Sequence, residues 1–332
     1  MRAGDRGEAV RDLQHRLGCL GHQTTDDQPG TFGPATEAAV RSFQHRRGLR
    51  VDGMCGSQTW AALVEAGWRL GDRLLYLRQP MLRGDDVADL QRTLGSLGFD
   101  AGRVDGIFGS DTKRALDEFQ RNIGIVVDGV CGPGTLDMFE RFGPAGADRQ
   151  PVAAVRELEM LRRAPRTLQG RRVVLGDGGG MHAVLSATER VLKEAGAEVI
   201  VVHRPDQSEQ AAEANAAGGH VFLGLRLEAG GDGCSSAHYA GHRYESAGGR
   251  RLAELVQSMV PKAVGIGDGG VRGMAIPVLK ETRMPAVVCE LGPPSCVVAH
   301  TAELAEALGA VLAAWAASPV EDPEPAGPQS QS

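Results

Sequence analysis

A cassette of about sixty residues occurs twice at the start of this chain, and a fixed internal repeat has to be recognised before any other reading of the fold. In the second copy, Val87-Ala-Asp-Leu-Gln91 is followed by Asp105-Gly-Ile-Phe-Gly109, Phe119-Gln120 and Val127-Asp-Gly-Val-Cys-Gly132. The first copy reads Val10-Arg-Asp-Leu-Gln14, Gly30-Thr-Phe-Gly33, Phe43-Gln44 and Val51-Asp-Gly-Met-Cys-Gly56. The offset is 76 residues from Phe43 to Phe119 and from Cys55 to Cys131, but 77 from Val10 to Val87. Copy one therefore carries one extra residue ahead of its Phe-Gly turn.

The cassette encodes helices separated by glycine turns. Val10, Leu13 and Leu17 fall at i, i+3 and i+7, and Val87, Leu90 and Leu94 repeat that amphipathic stripe. A second helix is expected from Thr36 and from Thr112, each threonine serving as N-cap. Val-Asp-Gly-x-Cys-Gly reads as a tight turn, since Asp-Gly accepts positive φ. A short third helix should begin near Thr59 and Thr135, and Cys55 and Cys131 should fill small core positions. Such a module is small for a core of its own, so two in tandem would support each other.

The Phe-Gln-x3-Gly-[Leu/Ile]-x-Val-Asp-Gly-x-x-Gly string, Phe43 to Gly56 and Phe119 to Gly132, resembles the type 1 peptidoglycan-binding domain. The resemblance covers about the first 142 residues and implies binding of peptidoglycan or its precursors. Because its motif residues are turn glycines and core phenylalanines, a protein-docking role stays open beside it. Aromatic residues make up only 4% of the 332 residues, so stacking platforms for sugars are scarce. A net charge of −6 speaks against a nucleic-acid groove, which needs a basic face.

The first residues, Met1-Arg-Ala-Gly-Asp-Arg-Gly-Glu8, lack the apolar run of a secretory signal, and no stretch is long and apolar enough to span a bilayer. The six cysteines (19, 55, 131, 234, 289 and 296) have no framework spacing and read as reduced thiols. A cytoplasmic location is expected, with the cell wall by non-classical export as the alternative. Gly67 to Met81 carries Trp68, Leu70, Leu74, Leu75, Tyr76 and Leu77, and is expected to pack between the modules.

Gly143 to Pro151 is punctuated by Gly and Pro and marks a boundary, followed by a lead-in helix from Val152 to Arg163. Beyond Gly170 strands alternate with helices, the pattern of a parallel or mixed sheet with covering helices. Strands are expected at 172–175, 198–203, 220–227, 237–244 (at the sheet edge) and 285–291, and helices at 183–195, 208–217, 246–260 and 299–317. Gly265 to Gly270 reads as a loop, and Val320 to Ser332 as disordered. The expected fold is thus multidomain: two all-α three-helix modules at 4–66 and 83–142, a linker with its lead-in helix at 143–169, an α/β domain at 170–317 and a tail at 318–332.

The α/β part resembles the amidase-3 family of zinc-dependent N-acetylmuramoyl-L-alanine amidases. The resemblance is carried by the first strand with its glycine-rich exit, Gly196-Ala-Glu-Val leading to Arg204, Phe222-Leu-Gly-Leu225, and Met284-Pro-Ala-Val-Val-Cys-Glu-Leu-Gly292. It implies a zinc ion held by two histidines and a glutamate, with a bound water activated toward hydrolysis. In the family the first histidine follows strand one; here that position is Gly179. The loop that carries the family's glutamate ligand is missing, the first acid of the helix being Glu189. The second histidine position is Arg226, and only the general-base position survives, at Glu290. Arg226 would replace the lost positive charge and pair with Glu290.

Candidates for a relocated zinc site are His182, His220, His238, His242, Cys234 and Cys289, of which His238 and His242 lack the zincin glutamate. Gly176-Asp-Gly-Gly-Gly180 lacks the lysine of a phosphate loop and reads as a remnant of the amidase turn. Twin cassettes ahead of this fold resemble an actinobacterial family of wall-synthesis regulators. That resemblance implies cytoplasmic wall-synthesis enzymes, notably the enolpyruvyl transferase that begins precursor synthesis, and a Ser/Thr kinase as partners. The tail offers Ser330 and Ser332 but no threonine for such a kinase. The expectation is a non-catalytic binding and regulatory protein with no cofactor; the alternative is an active zinc-dependent amidase.

Overall fold

The computed structural model describes residues 1–142, 152–241 and 244–320, without the side chains of 152–154. The boundary segment 143–151, His242 and the tail 321–332 with Ser330 and Ser332 lie outside the described residues. The chain divides into two compact units: Met1–Arg156 with residues 240–245 and 274–276, and Glu157–Tyr239 with Ser246–Gly273 and the chain from Pro277 onward.

The first unit holds six helices: α1 Glu8–Cys19, α2 Pro34–Arg46 and α3 Ser57–Ala66, then α4 Asp85–Ser96, α5 Ser110–Ile123 and α6 Pro133–Phe142. The predicted stripes form the cores. Val10, Leu13 and Leu17 bury against Phe32, Val40, Phe43 and Leu63, and Val87, Leu90 and Leu94 against Phe108, Leu116, Phe119 and Phe139. Cys55 and Cys131 are buried core fillers, as expected. Burial pushes the Cys131 thiol up to about 12, so it stays a protonated hydrophobe.

The threonines play a different part from the one expected. Gly33 and Gly109 are the N-caps of α2 and α5, and Thr36 and Thr112 lie inside the first turn, buried. Each accepts a hydrogen bond at 3.1 Å from the side-chain amide of a buried glutamine on the preceding helix, Gln14 and Gln91 respectively. Gln44 and Gln120 hold Thr59 and Thr135 in the same way, at 3.1 and 3.2 Å. In all four cases the glutamine Oε1 accepts from the N–H of a turn glycine: Gly30, Gly53, Gly106 or Gly129. Those glycines have φ of 80°, 75°, 73° and 66°, the left-handed region that disfavours a side chain. The unit Gly-x-[Phe/Cys]-Gly-x-x-Thr therefore occurs four times, and each cassette is itself a doubled motif clasped by a glutamine.

The connector is tied down at few points. Leu75 is fully buried and exchanges both backbone hydrogen bonds with Cys131. Arg73 stacks on Trp68 and pairs with the buried Asp86 at 2.7 Å. Leu74, Tyr76 and Leu77 are exposed, so the connector is less packed than its apolar content suggested. Arg47 reaches from α2 to the carboxylate of Asp85 at the head of α4 with two hydrogen bonds of 2.8 Å.

The second unit is a six-stranded mixed sheet in the order β2-β1-β3-β6-β4-β5. Its strands are β1 Arg172–Asp177, β2 Glu198–Val202, β3 Val221–Leu227, β4 Gly233–Tyr239, β5 Gly267–Met274 and β6 Ala286–Leu291. The pairs β1–β2, β1–β3 and β3–β6 are parallel, and β4 runs antiparallel to β6. The helices are α7 Val152–Arg163, α8 His182–Glu194, α9 Gln207–Ala216, α10 Ala247–Val264, α11 Pro277–Glu281, α12 Pro294–Ala299 and α13 Thr301–Ala317. Alternate strand residues (Val173, Leu175, Leu223, Leu225, Val287, Leu291) face a core shared with α8, α10 and α13. Fully buried Trp315 donates from Nε1 to Gly248 O at 2.9 Å, which ties α13 to α10. Glu157 on α7 accepts from Ser246 Oγ and Gly248 N–H, so the lead-in helix caps α10.

Two strand readings change. β4 begins at Gly233 and lies inside the sheet, while Gly267–Met274, which starts within the 265–270 stretch read as a loop, is the edge strand β5. Its Gly-Asp-Gly-Gly sequence has no apolar alternation because most of its residues are exposed. Among the described residues no helix is long and apolar enough to cross a membrane.

Candidate functional site

Parallel strands β1, β3 and β6 end side by side, and the residues expected to carry amidase chemistry sit at those ends. Asp177 closes β1 and leads into Gly178-Gly179-Gly180. The Gly178 N–H donates to Leu225 O at 2.7 Å and the Leu227 N–H to Gly179 O at 3.2 Å, which lays the turn along the end of β3. A Cβ at Gly178 would meet Leu225 O at 2.9 Å and Arg226 Cβ at 3.1 Å, so the turn has room only for glycine there. Gly179 itself has φ of 106° and supplies no ligand atom.

Arg226 and Glu290 are register partners across β3 and β6. The Arg226 Nη1 to Glu290 Oε1 distance is 3.9 Å, with the side chains 47% and 24% exposed. The expected pair therefore exists, but as a loose, solvated one, worth little to stability. Zinc bound by nitrogen and carboxylate needs donors with free lone pairs. At the positions the family resemblance assigns to the two histidines the chain offers no side chain and a guanidinium, the glutamate ligand has no counterpart, and Glu290 falls at the general-base position. That set does not fit the ion.

The other named candidates scatter. His220 Nδ1 accepts from the Arg172 N–H at 3.0 Å; burial, then the cations of Arg172 and Arg171, hold its pKa below the ordinary histidine value. His238 is buried within β4, in register with Val287. Cys234 and Cys289 are fully buried on neighbouring strands. Burial pushes the Cys234 thiol up to about 12, and burial with the neighbouring Cys234 raises Cys289 well above its usual value, which disfavours the thiolate a metal needs.

His182 does have metal-competent neighbours. With Asp177 and His203 it forms a group whose ligand atoms all lie within 4.8 Å of one another. Asp177 Oδ2 is 3.3 Å from His203 Nδ1, and the two imidazole centroids are 5.7 Å apart. Asp177 and His203 meet because Gly176 pairs with Val202, so the residue that follows each of them falls beside the other. Gln210 on α9 fixes that spacing by donating to Asp177 O at 2.8 Å and Arg204 O at 2.6 Å. Neither Asp177 nor His203 stands out in the sequence as a ligand. The signal that finds them is the adjacency of two parallel strands ending in Asp and His.

Comparison with known proteins bears on both units. Residues 6–63 and 83–139 match the family described as "Putative peptidoglycan binding domain". Over 331 residues, 88% of this chain and 81% of its counterpart, the sequence is 36% identical to the N-acetylmuramoyl-L-alanine amidase CwlM of Mycobacterium tuberculosis. It is 28% identical over 156 residues to the N-acetylmuramoyl-L-alanine amidase CwlL of Bacillus licheniformis, covering 41% of this chain and 43% of that protein. Among solved structures, the amidase Ami1 of Mycobacterium smegmatis matches at 15% identity with a TM-score of 0.40, over 46% of this chain and 99% of that one.

Proposed function

Because the chain belongs to the CwlM family, with tandem peptidoglycan-binding domains ahead of an amidase-like α/β domain, we propose that it is a non-catalytic, peptidoglycan-binding regulator of cell-wall synthesis. The observation that carries this reading is the substitution of the metal positions. By the family resemblance, Gly179 without a side chain and the cation of Arg226 stand at the two histidine positions. Glu290 remains at the end of β6, paired with that guanidinium at 3.9 Å. A carboxylate so placed, without a metal-bound water to deprotonate, does not hydrolyse an amide at a useful rate. Function is argued from the site and not from the fold.

In this reading the cassettes bind peptidoglycan or its precursors, and the α/β unit presents a surface to wall-synthesis enzymes in the cytoplasm. A Ser/Thr kinase is the proposed controller. The competing reading, an active N-acetylmuramoyl-L-alanine amidase, is favoured by Glu290 and by the family names. The test is incubation of the purified full chain with isolated sacculi and added Zn2+. The expected result is sedimentation with the sacculi or binding of soluble precursors, with no new L-alanine amino termini. Release of stem peptides would overturn the non-catalytic reading, and failure to bind either material would overturn the binding one.

A further inference from the structure

We propose that Asp177, His182 and His203 form a binding site for a divalent transition ion of the zinc type, displaced from the family's metal positions. The three residues come from three elements: the end of β1, the first turn of α8 and the residue after β2. Their ligand atoms lie within 4.8 Å of one another. Donors around a tetrahedral zinc are spaced about 3.3 Å apart, given bonds of about 2.0–2.1 Å. The Asp177–His203 pair already stands at 3.3 Å. His182 and His203 are exposed, so their imidazoles have room to turn toward a shared ion.

The supporting bonds set Asp177 up as a ligand. Its Oδ1 accepts from the Gly179 N–H at 2.8 Å, which leaves Oδ2 directed at His203. Hydrogen bonds of this kind orient ligands at metal sites. Gln210 holds the carbonyls on either side, those of Asp177 and Arg204. The Arg204 guanidinium is drawn off to Glu213 at 2.9 Å. Met181, buried in the core, fixes the start of α8 and with it His182. The helix N-terminus is the positive end of a dipole and opposes a cation, and the Asp177 carboxylate supplies the offsetting charge.

Two imidazoles and one carboxylate select a borderline ion over Mg2+ or Ca2+, which prefer all-oxygen shells. Three protein ligands leave a coordination position for water or for an anionic partner group. The site borders Gly179 but uses neither Arg226 nor Glu290, so it stands independently of the non-catalytic reading.

The experiment is equilibrium dialysis of the metal-stripped full chain against Zn2+, with Co2+ as a spectroscopic probe. One Zn2+ per chain is expected. His182→Ala, His203→Ala and Asp177→Asn should each weaken it at least tenfold, and His220→Ala should not. The Co2+ form should show the intense visible bands of a low-coordinate site, lost in His203→Ala. His203 is exposed, so that variant tests binding without threatening the fold; circular dichroism checks Asp177→Asn. Absence of stoichiometric Zn2+, or binding unchanged when His182→Ala and His203→Ala are combined, overturns the site and leaves the regulator reading intact. Zn2+ binding that switches on peptide release would overturn the regulator reading and leave the site standing.

Discussion

The two cassettes are built on one plan, and three of their differences each exchange one physical device for another. In copy two the clasp glutamine Gln91 donates to Asp105 Oδ1, Ile107 O and Thr112 Oγ, and accepts from the N–H groups of Asp105 and Gly106. In copy one Pro29 stands at the Asp105 position, and Gln14 donates instead to Gln28 O, Thr31 O and Thr36 Oγ. Copy one adds a carboxylate that copy two lacks. Asp27 accepts from the N–H groups of Gly33, Ala35 and Thr36 at the head of α2, whereas Arg103 and Val104 occupy the corresponding stretch of copy two. Finally, the ring packed edge-on against the core phenylalanine is Phe99 in copy two and His22 in copy one. The lesson is that the motif specifies a geometry, and that several chemistries deliver it.

The largest effect should come from the clasp. Gln91→Ala removes the acceptor of the Asp105 and Gly106 N–H groups, while Ile107 O keeps the Gly109 N–H, Asp105 Oδ1 keeps the Ile107 N–H and the Thr112 hydroxyl keeps Ala101 O, and each unsatisfied buried group costs about 1–3 kcal/mol. A loss of about 3 kcal/mol is expected for Gln91→Ala and about 2 kcal/mol for Gln14→Ala, which lacks the aspartate contact. Because unfolding of a multidomain chain is not a single transition, the readout is hydrogen exchange of the α4–α5 amides against those of α1–α2. Equal losses in the two copies would mean that Asp105 adds nothing to its clasp.

How much of this was legible in the sequence depends on whether one stretch of chain carried the information. Val10, Leu13 and Leu17 announce their helix because a 3.6-residue period is local. The pairing of Arg226 with Glu290 could be anticipated because both were placed on strands by local motif. Thr36 misled because a threonine ahead of an apolar stripe has the composition of an N-cap. The fourfold Gly-x-[Phe/Cys]-Gly-x-x-Thr spacing would have shown that a glycine three residues earlier takes that position. β5 was hidden because a half-exposed Gly-Asp-Gly-Gly edge strand has no hydrophobic pattern to read. Asp177 and His203 are 26 residues apart, and only the parallel β1–β2 register brings them together.

Asp27 gives the next effect. Burial alone would raise its carboxyl, but hydrogen bonds from the Thr36 hydroxyl and from the N–H groups of Thr36, Ala35 and Gly33 outweigh that and hold its pKa below the usual value. Asp27→Ala should cost copy one about 1 kcal/mol, the scale of a lost helix cap. With a folded pKa below the unfolded one, the contribution is complete above the unfolded value near 3.9 and disappears as pH falls through the folded pKa. Below that point wild type and variant should converge in the exchange of the α2 amides. A difference that persists in acid would show that the carboxylate charge does not carry the cap.

The smallest effect is the most selective. His22 is buried against Phe43, its ring edge-on at 5.8 Å, and its pKa is held below the ordinary value of 6.5 by burial first and then by Arg46 and Arg47. The folded state therefore keeps His22 neutral while the unfolded chain takes up a proton. Its share of stability is complete above pH 6.5 and is lost as pH falls from there toward the folded pKa. Phe99, in the matching place of copy two, has no proton to take up. His22→Phe should flatten the pH dependence of α1–α2 exchange between pH 7.5 and 5 to that of α4–α5, whatever it does to absolute stability. Histidine costs copy one little at neutral pH, because a neutral imidazole packs on a phenylalanine edge much as a second phenyl ring does. If the slope of copy one survives the substitution, the titrating group lies elsewhere and the two rings are equivalent in charge as well as in shape.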